Sequence, residues 1–208
     1  MKKILPLICL LLLALPTLAQ RTAKDLFISG NQKFKAGKFA EAIQDYNLVL
    51  SVEPKHTITL TNRGVAKDRL QDHKGAIADF NKVIALDPTY LEAWFSRGLA
   101  KYNAKDYRDA IADFNKTIEL DPKQARSYNN RGLARYAMKD FRGALNDYNK
   151  AVELNPDYAE ALYNRGAPKY NLGDKASACS DWTKAKAMGV KEADAYLKKH
   201  CTTLTAEK

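Results

Sequence analysis

Apolar residues recur along most of this chain at the three- and four-residue spacing of amphipathic helices, not at the two-residue spacing of strands. Residues 91 to 124 show the pattern clearly, with one such stretch around Trp94 to Ala104 and a second around Tyr107 to Leu120. The polar corner between them, Lys105-Asp106, has counterparts in Gly37-Lys38 and Gly173-Asp174, each short enough to require an antiparallel helical hairpin. A closing Leu-Asp-Pro or Leu-Asn-Pro stops the second helix, because proline disfavours helical geometry at the residue before it and cannot extend a helix interior.

This two-helix unit repeats every 34 residues without insertion or deletion: glycine stands at Gly30, Gly64, Gly98, Gly132 and Gly166, and proline at Pro54, Pro88, Pro122 and Pro156. Alanine recurs at Ala42, Ala76, Ala110, Ala144 and Ala178, with an aromatic residue four positions later at Tyr46, Phe80, Phe114, Tyr148 and Trp182, on the same helix face. A unit this small cannot bury its own apolar face, so the units are predicted to stack into an all-α array. The small residues are expected where two helix backbones approach closely.

These columns resemble the tetratricopeptide repeat family, whose Trp-x-x-Leu-Gly, Tyr, Ala, Phe, Ala and Pro pattern matches Trp94, Gly98, Tyr107, Ala110, Phe114, Leu120 and Pro122 with changes. The resemblance implies a right-handed α-solenoid of five helix-turn-helix repeats (23–56, 57–90, 91–124, 125–158 and 159–190), and with it the binding of a peptide or protein segment on a concave surface. It is specific for fold and weakly specific for function.

The chain departs from the family just before the glycine, where arginine replaces an apolar residue at Arg63, Arg97, Arg131 and Arg165, followed four residues on by Lys67, Lys101, Arg135 and Lys169. Like charges at this spacing on one helix call for a counter-ion. The aspartate column Asp45, Asp79, Asp113, Asp147 and Asp181 offers one, either within a unit (Arg97 with Asp113) or between units (Arg97 with Asp79), and the sequence does not choose. Pro168 stands inside a predicted helix where Ala100 and Ala134 hold the equivalent place, so a kink or loosened turn is expected near Asn164 to Pro168.

At the N-terminus, Lys2 and Lys3 lead an apolar run from Ile4 to Leu15 that ends in Thr17-Leu18-Ala19, the layout of a cleavable export signal over residues 1–19. Cys9 lies inside the apolar run behind bulky Ile8, which argues against a lipid anchor. Removing the signal takes two of the 34 bases and none of the 24 acids, leaving 32 against 24 and a net charge of +8. The protein is expected in the periplasm or outside the cell, where the two remaining cysteines invite a disulfide. Cys179 lies about ten residues before the turn at Met188 to Val190 and Cys201 about eleven after it, which places them level on antiparallel helices. Residues 191–202 read as a helix capping the array, with 203–208 as a flexible tail.

Residue chemistry points away from an enzyme. His56, His73 and His200 fall at unrelated places in the units, with no metal-ligand spacing around them, and are read as surface or turn residues; no phosphate loop, nucleophile elbow or dinucleotide fingerprint occurs, and no cofactor is expected.

By the resemblance, the first helices line the groove. Thr61, Asn62, Val65 and Asp68 come from the second unit and Phe95, Ser96, Leu99 and Tyr102 from the third. Asn129, Asn130, Leu133 and Tyr136 come from the fourth, and Tyr163, Asn164 and Tyr170 from the fifth. Tyr102, Tyr136 and Tyr170 form an aromatic ladder, and Asn62, Asn130 and Asn164 an amide ladder that either hydrogen-bonds an extended peptide or ties adjacent repeats together. The basic clamp that some members use for a peptide's terminal carboxylate is missing, with Arg126 the one base in those columns. Two functions follow: an exported scaffold or adaptor that docks a protein segment in the groove, or an electrostatic binder of a polyanion, either acidic glycan or nucleic acid. Nucleic acid is disfavoured because bases are interleaved with acids.

Overall fold

The computed structural model describes residues 22–201; the expected export signal and the flexible tail lie outside the described residues. Within them the chain forms eleven α-helices and no strand. Five antiparallel hairpins pair α1 (Ala23–Lys35) with α2 (Phe39–Val52), α3 (Thr57–Arg69) with α4 (His73–Leu86), α5 (Leu91–Asn103) with α6 (Tyr107–Leu120), α7 (Ala125–Ala137) with α8 (Phe141–Leu154), and α9 (Ala159–Asn171) with α10 (Lys175–Ala187). A short α11 (Ala193–His200) follows. Each hairpin packs on the next, and successive first helices approach one another more closely than successive second helices do, so the array curves with the first helices inside.

The same local chemistry builds every corner. The first residue after each first helix's cap adopts a left-handed conformation, with φ of 75° at Gly37, 66° at Gln71, 67° at Lys105, 64° at Lys139 and 93° at Gly173. Asp72, Asp140 and Asp174 then cap the second helices by accepting hydrogen bonds from the amides of Gly75, Gly143 and Ser177. The second helices end on extended Asp87, Asp121 and Asn155, as the following prolines require.

The glycine column has a different partner from the one expected. A Cβ on Gly98 would lie 2.8 Å from the Phe114 ring, and one on Gly166 would lie 2.2 Å from the Trp182 indole. The close approach is therefore between one helix backbone and the aromatic ring of its own hairpin. Those rings are buried at 0 to 1 % exposure, beside fully buried alanines at Ala76, Ala110, Ala144 and Ala178.

Pro168 also departs from expectation. Helix α9 runs unbroken from Ala159 to Asn171 with Pro168 buried inside it, and the Leu172 amide still donates to the Pro168 carbonyl. Packing on both sides holds the helix in register, and the loss is confined to the one bond a proline nitrogen cannot donate.

The arginine and aspartate columns pair within units. Arg97 donates from Nε and Nη2 to Asp113 at 2.8 and 2.7 Å, and Lys101 Nζ reaches the same carboxylate at 2.9 Å. The arrangement recurs for Arg63 and Lys67 on Asp79, Arg131 and Arg135 on Asp147, and Arg165 and Lys169 on Asp181. The third nitrogen of each guanidinium crosses to the preceding hairpin, where Nη1 donates to Asn47, Asn81, Asn115 or Asn149. In the first unit, which has no arginine in that column, Asp45 accepts from Ser29 and pairs with Lys33. With Asp113 at 2 % exposure these are buried clusters, well beyond the surface pairs worth about 0 to 1 kcal/mol.

Helix α11 packs on α10, with Ala193 buried and Tyr196 against Trp182 at 5.2 Å. Cys179 and Cys201 are joined, with Cα atoms 5.8 Å apart, and Asp194 bridges Lys186 on α10 and Lys198 on its own helix. Those two lysines hold the Asp194 carboxyl down at about 2.

Two outcomes are expected. Asp113→Asn leaves Arg97 and Lys101 without their shared counter-ion and lowers unfolding free energy by about 3 kcal/mol in denaturant titration, whereas Arg97→Met costs less because Lys101 remains paired. Reducing the disulfide removes about 3 kcal/mol by the loop-closure estimate, and hydrogen exchange localises the loss to α11 while the hairpins up to α8 stay protected.

Candidate functional site

The inner face of the first helices carries two open cavities. One, about 820 Å³, lies between the second and third units over an apolar floor of Val65, Phe80, Phe95 and Leu99, with Arg69 and Arg126 at its rim. The other, about 630 Å³, lies between the fourth and fifth units and is lined by Asn129, Asn130, Leu133, Tyr163 and Asn164, with Glu160 and Glu192 adding negative charge.

The structure divides the residues expected in the groove. Tyr102 and Tyr136 each pack on their own corner, Tyr102 against Tyr107 at 5.5 Å and Tyr136 against Phe141 at 5.3 Å, and both add to the effect of burial in raising the pKa of the Tyr148 phenol. Tyr170 is taken by the cap, with the His200 ring at 4.4 Å and Trp182 at 6.0 Å, and Tyr163 meets Tyr196 edge-on at 5.5 Å. Tyr170 therefore does not continue the aromatic ladder into open groove. Phe95 is only 5 % exposed, covered by Phe114 beneath and by the Arg126 guanidinium 4.5 Å above its ring.

The amide ladder resolves into ties. Asn62 donates to Asn31 of the preceding first helix at 3.0 Å, and that oxygen also accepts from Tyr46 at 2.8 Å. Asn164 donates to Asn129 at 3.0 Å, with Asn129 itself buried, while Asn130 returns to the Arg126 carbonyl of its own helix. The Asn62–Asn31 and Asn164–Asn129 bonds join neighbouring helices, and Asn129, Asn130 and Asn164 border the 630 Å³ cavity.

Sequence reasoning missed one cluster. Helix-corner positions five residues apart hold a ring pair in three units: Phe34 with Phe39, Tyr102 with Tyr107, Tyr136 with Phe141. In the second unit the pair is Asp68 and His73, bonded through Nδ1 at 2.6 Å, with Asn103 of the next first helix donating to the other Asp68 oxygen at 2.8 Å. The 34-residue comparison shows this exception directly, yet His73 read as a surface residue. His56 serves the backbone instead, its Nδ1 accepting from the Thr59 amide to cap α3. Among the described residues no cluster could hold a metal ion, and no helix is long and apolar enough to cross a membrane.

Fold and face together define a curved helical-repeat array whose inner surface is open to a ligand. Sequence profiles described as tetratricopeptide repeat match residues 29–91, 91–124 and 125–158, more than half of the chain, and the chain belongs to the tetratricopeptide repeat family. A comparison with curated proteins finds no match. Among solved structures, the chain is similar to MamA at 27% identity, covering 79% of this chain and 96% of that one with a TM-score of 0.70. It is also similar to the first tetratricopeptide repeat domain of Spaghetti (RPAP3) bound to an HSP90 peptide, at 31% identity over 56% of this chain and 93% of that one with a TM-score of 0.54. TTC0263 of Thermus thermophilus shares the fold at 16% identity, covering 85% and 96%, with a TM-score of 0.68.

Burial sets the tyrosine chemistry of this face. It pushes Tyr46 and Tyr163 up to about 12, Tyr148 further still, and raises Tyr102 and Tyr158. Because folding favours these phenols neutral, the stability they add is complete below their unfolded value of 10.0 and is lost as pH rises from there through about 12. Thermal melts should therefore fall across that window, with five of the eleven tyrosines lagging in the 295 nm tyrosinate signal until the chain unfolds.

Proposed function

We propose that the protein is a non-enzymatic scaffold or adaptor, exported through residues 1–19, that binds an extended peptide segment of a partner along the inner face of its first helices. The observation that carries this reading is the pair of cavities, about 820 and 630 Å³, opened between successive first helices on one continuous face. Each is within the size range of ligand sites, the first with an apolar floor and the second lined by amides, tyrosines and two glutamates beside Leu133 and Val190. The likeness to a repeat domain bound to an HSP90 peptide supports a peptide as the ligand class. The paired cysteines agree with an oxidising compartment.

A polyanion is the second reading, favoured by the net charge of +8 after signal removal. Half of that excess, one positive charge in each of four buried clusters, sits where two bases share an aspartate and their donors are already engaged.

Selection from a random-peptide display library on the immobilised protein tests the groove. Enriched peptides are expected to bind with little loss between 50 and 300 mM salt, on the order of less than tenfold, whereas polyanion binding through several bases collapses steeply over such a range. A Tyr102→Ala, Tyr136→Ala variant that still melts cooperatively is expected to bind them about tenfold more weakly. A library that enriches nothing sinks the proposal.

A further inference from the structure

The second unit differs from its neighbours in a way that shapes the larger cavity. Two units further on, the matching space is divided into the 630 Å³ cavity and a separate pocket of about 100 Å³ bounded by Leu133, Tyr136, Tyr148, Tyr163, Asn164 and Ala167. These residues occupy the same repeat positions as Val65, Asp68, Phe80, Phe95, Ser96 and Leu99 around the 820 Å³ cavity. All six positions differ in residue type, and the largest change is that the Tyr136 ring stands where the second unit has Asp68; Trp182 and the cap's Tyr196 also border the smaller pocket. Asp68 and His73 replace the two rings that fill this corner in three other units, and their hydrogen bond, with the one from Asn103, holds the corner closed without filling it. The result is one continuous space beside Phe80 and Phe95, where the fourth and fifth units hold two.

The rim supplies the second half of the recognition. Arg69 is exposed, and Arg126 lies over Phe95 with an ion pair to Glu92 of 3.6 Å between groups 55 % and 49 % exposed. Such an exposed, long pair is worth little and exchanges readily for an incoming carboxylate. Arg126 then has an aromatic face to hold its guanidinium in place and a planar fork free to receive an acid.

We propose that this cavity, within the groove of the preceding reading, seats one large apolar side chain of an extended acidic peptide, with an adjacent Asp or Glu of that peptide on Arg126 and Arg69. No terminal carboxylate is needed, because the arginines meet a side chain flanking the anchor.

The probe is a pentapeptide, Asp-Glu-Phe-Asp-Glu, labelled with fluorescein at its N-terminus and amidated at its C-terminus, followed by anisotropy on the full chain. Wild type is expected to bind it, and replacing its Phe by Ala to weaken binding about tenfold or more, as loss of a buried anchor does. Asp68→Tyr with His73→Phe transplants the corner of the fourth unit into the second. It is expected to leave the melting temperature equal or higher and to weaken binding by about tenfold or more. Arg126→Ala, at an exposed position that the fold does not depend on, is expected to weaken binding about tenfold while Glu92→Gln tightens it. Equal affinity of wild type and the filled variant overturns the proposal, as does equal affinity for Lys-Lys-Phe-Lys-Lys, or inorganic polyphosphate competing with the peptide as well as the peptide competes with itself. If library-selected peptides bind wild type and the filled variant alike, the groove reading stands and this one falls; an empty library removes both.

Discussion

A buried carboxylate shared by two bases recurs in four of the five hairpins, and the stacking of the molecule is organised around it. Asp79, Asp113, Asp147 and Asp181 each sit at 2 to 3 % exposure, a position that an isolated anion tolerates only with full hydrogen bonding. The arginine supplies two parallel bonds and the lysine or second arginine a third. The guanidinium's remaining nitrogen reaches an asparagine of the preceding hairpin, so the same residue that satisfies one unit measures its distance to the next. Hydrophobic burial drives the stacking, but it is non-directional. The guanidinium fork has a fixed geometry, and it turns a greasy contact between hairpins into one register.

An array held this way must be finished at both ends, and this chain finishes them differently. At the N-terminal end the columns that are otherwise buried turn polar: Asp25 stands where Thr59, Ala93, Ser127 and Ala161 are fully covered, and Gln32 where Ala66, Ala100 and Ala134 are. A further helix packing there would bury an amide or a carboxylate. At the other end the last hairpin keeps its apolar face and covers it with α11, eight residues long and too short to persist alone. The disulfide and the Asp194 bridges supply what the helix's own length cannot. That cover also takes Tyr163 and Tyr170, so the usable inner face is shorter than five repeats.

The fold was legible because its signal is redundant: glycine, alanine, aromatic, aspartate and proline columns all keep one period, and each constrains the same two-helix unit. Partner choice was less legible. Arg97 lies 16 residues before Asp113 and 18 after Asp79, and both aspartates occupy neighbouring helices, so periodicity ranks them equally. Geometry separates them, because the carboxylate of the same hairpin faces the fork while the preceding hairpin offers Asn81. The amides were ambiguous for a related reason. An asparagine on an inner helix face can reach a ligand or the next helix, and the roughly 3 Å bond from Asn62 to Asn31 depends on a curvature that no single unit encodes. Pro168 read as a kink or loosened turn because helix propensity is a local quantity, whereas α9 is held by its packing on α8 and α10.

In a repeat protein, positions that keep the period maintain the stack, so residues that break it are free to do something else. Asp68 and His73 break it without any gain in packing, since a ring pair at that corner buries more apolar surface than a carboxylate and an imidazole do. Hydrogen bonds from His73 and Asn103 offset part of that loss and hold the corner's geometry, which is what an opening needs if it is to keep its shape when empty. Lys175 breaks the same column in the fifth unit, but there its ammonium lies 5.6 Å over Tyr170 beneath the cap and opens nothing. The same column therefore yields a cavity or a closed corner according to whether the first partner keeps its ring. In the second unit the array gives up a ring pair and keeps one undivided space.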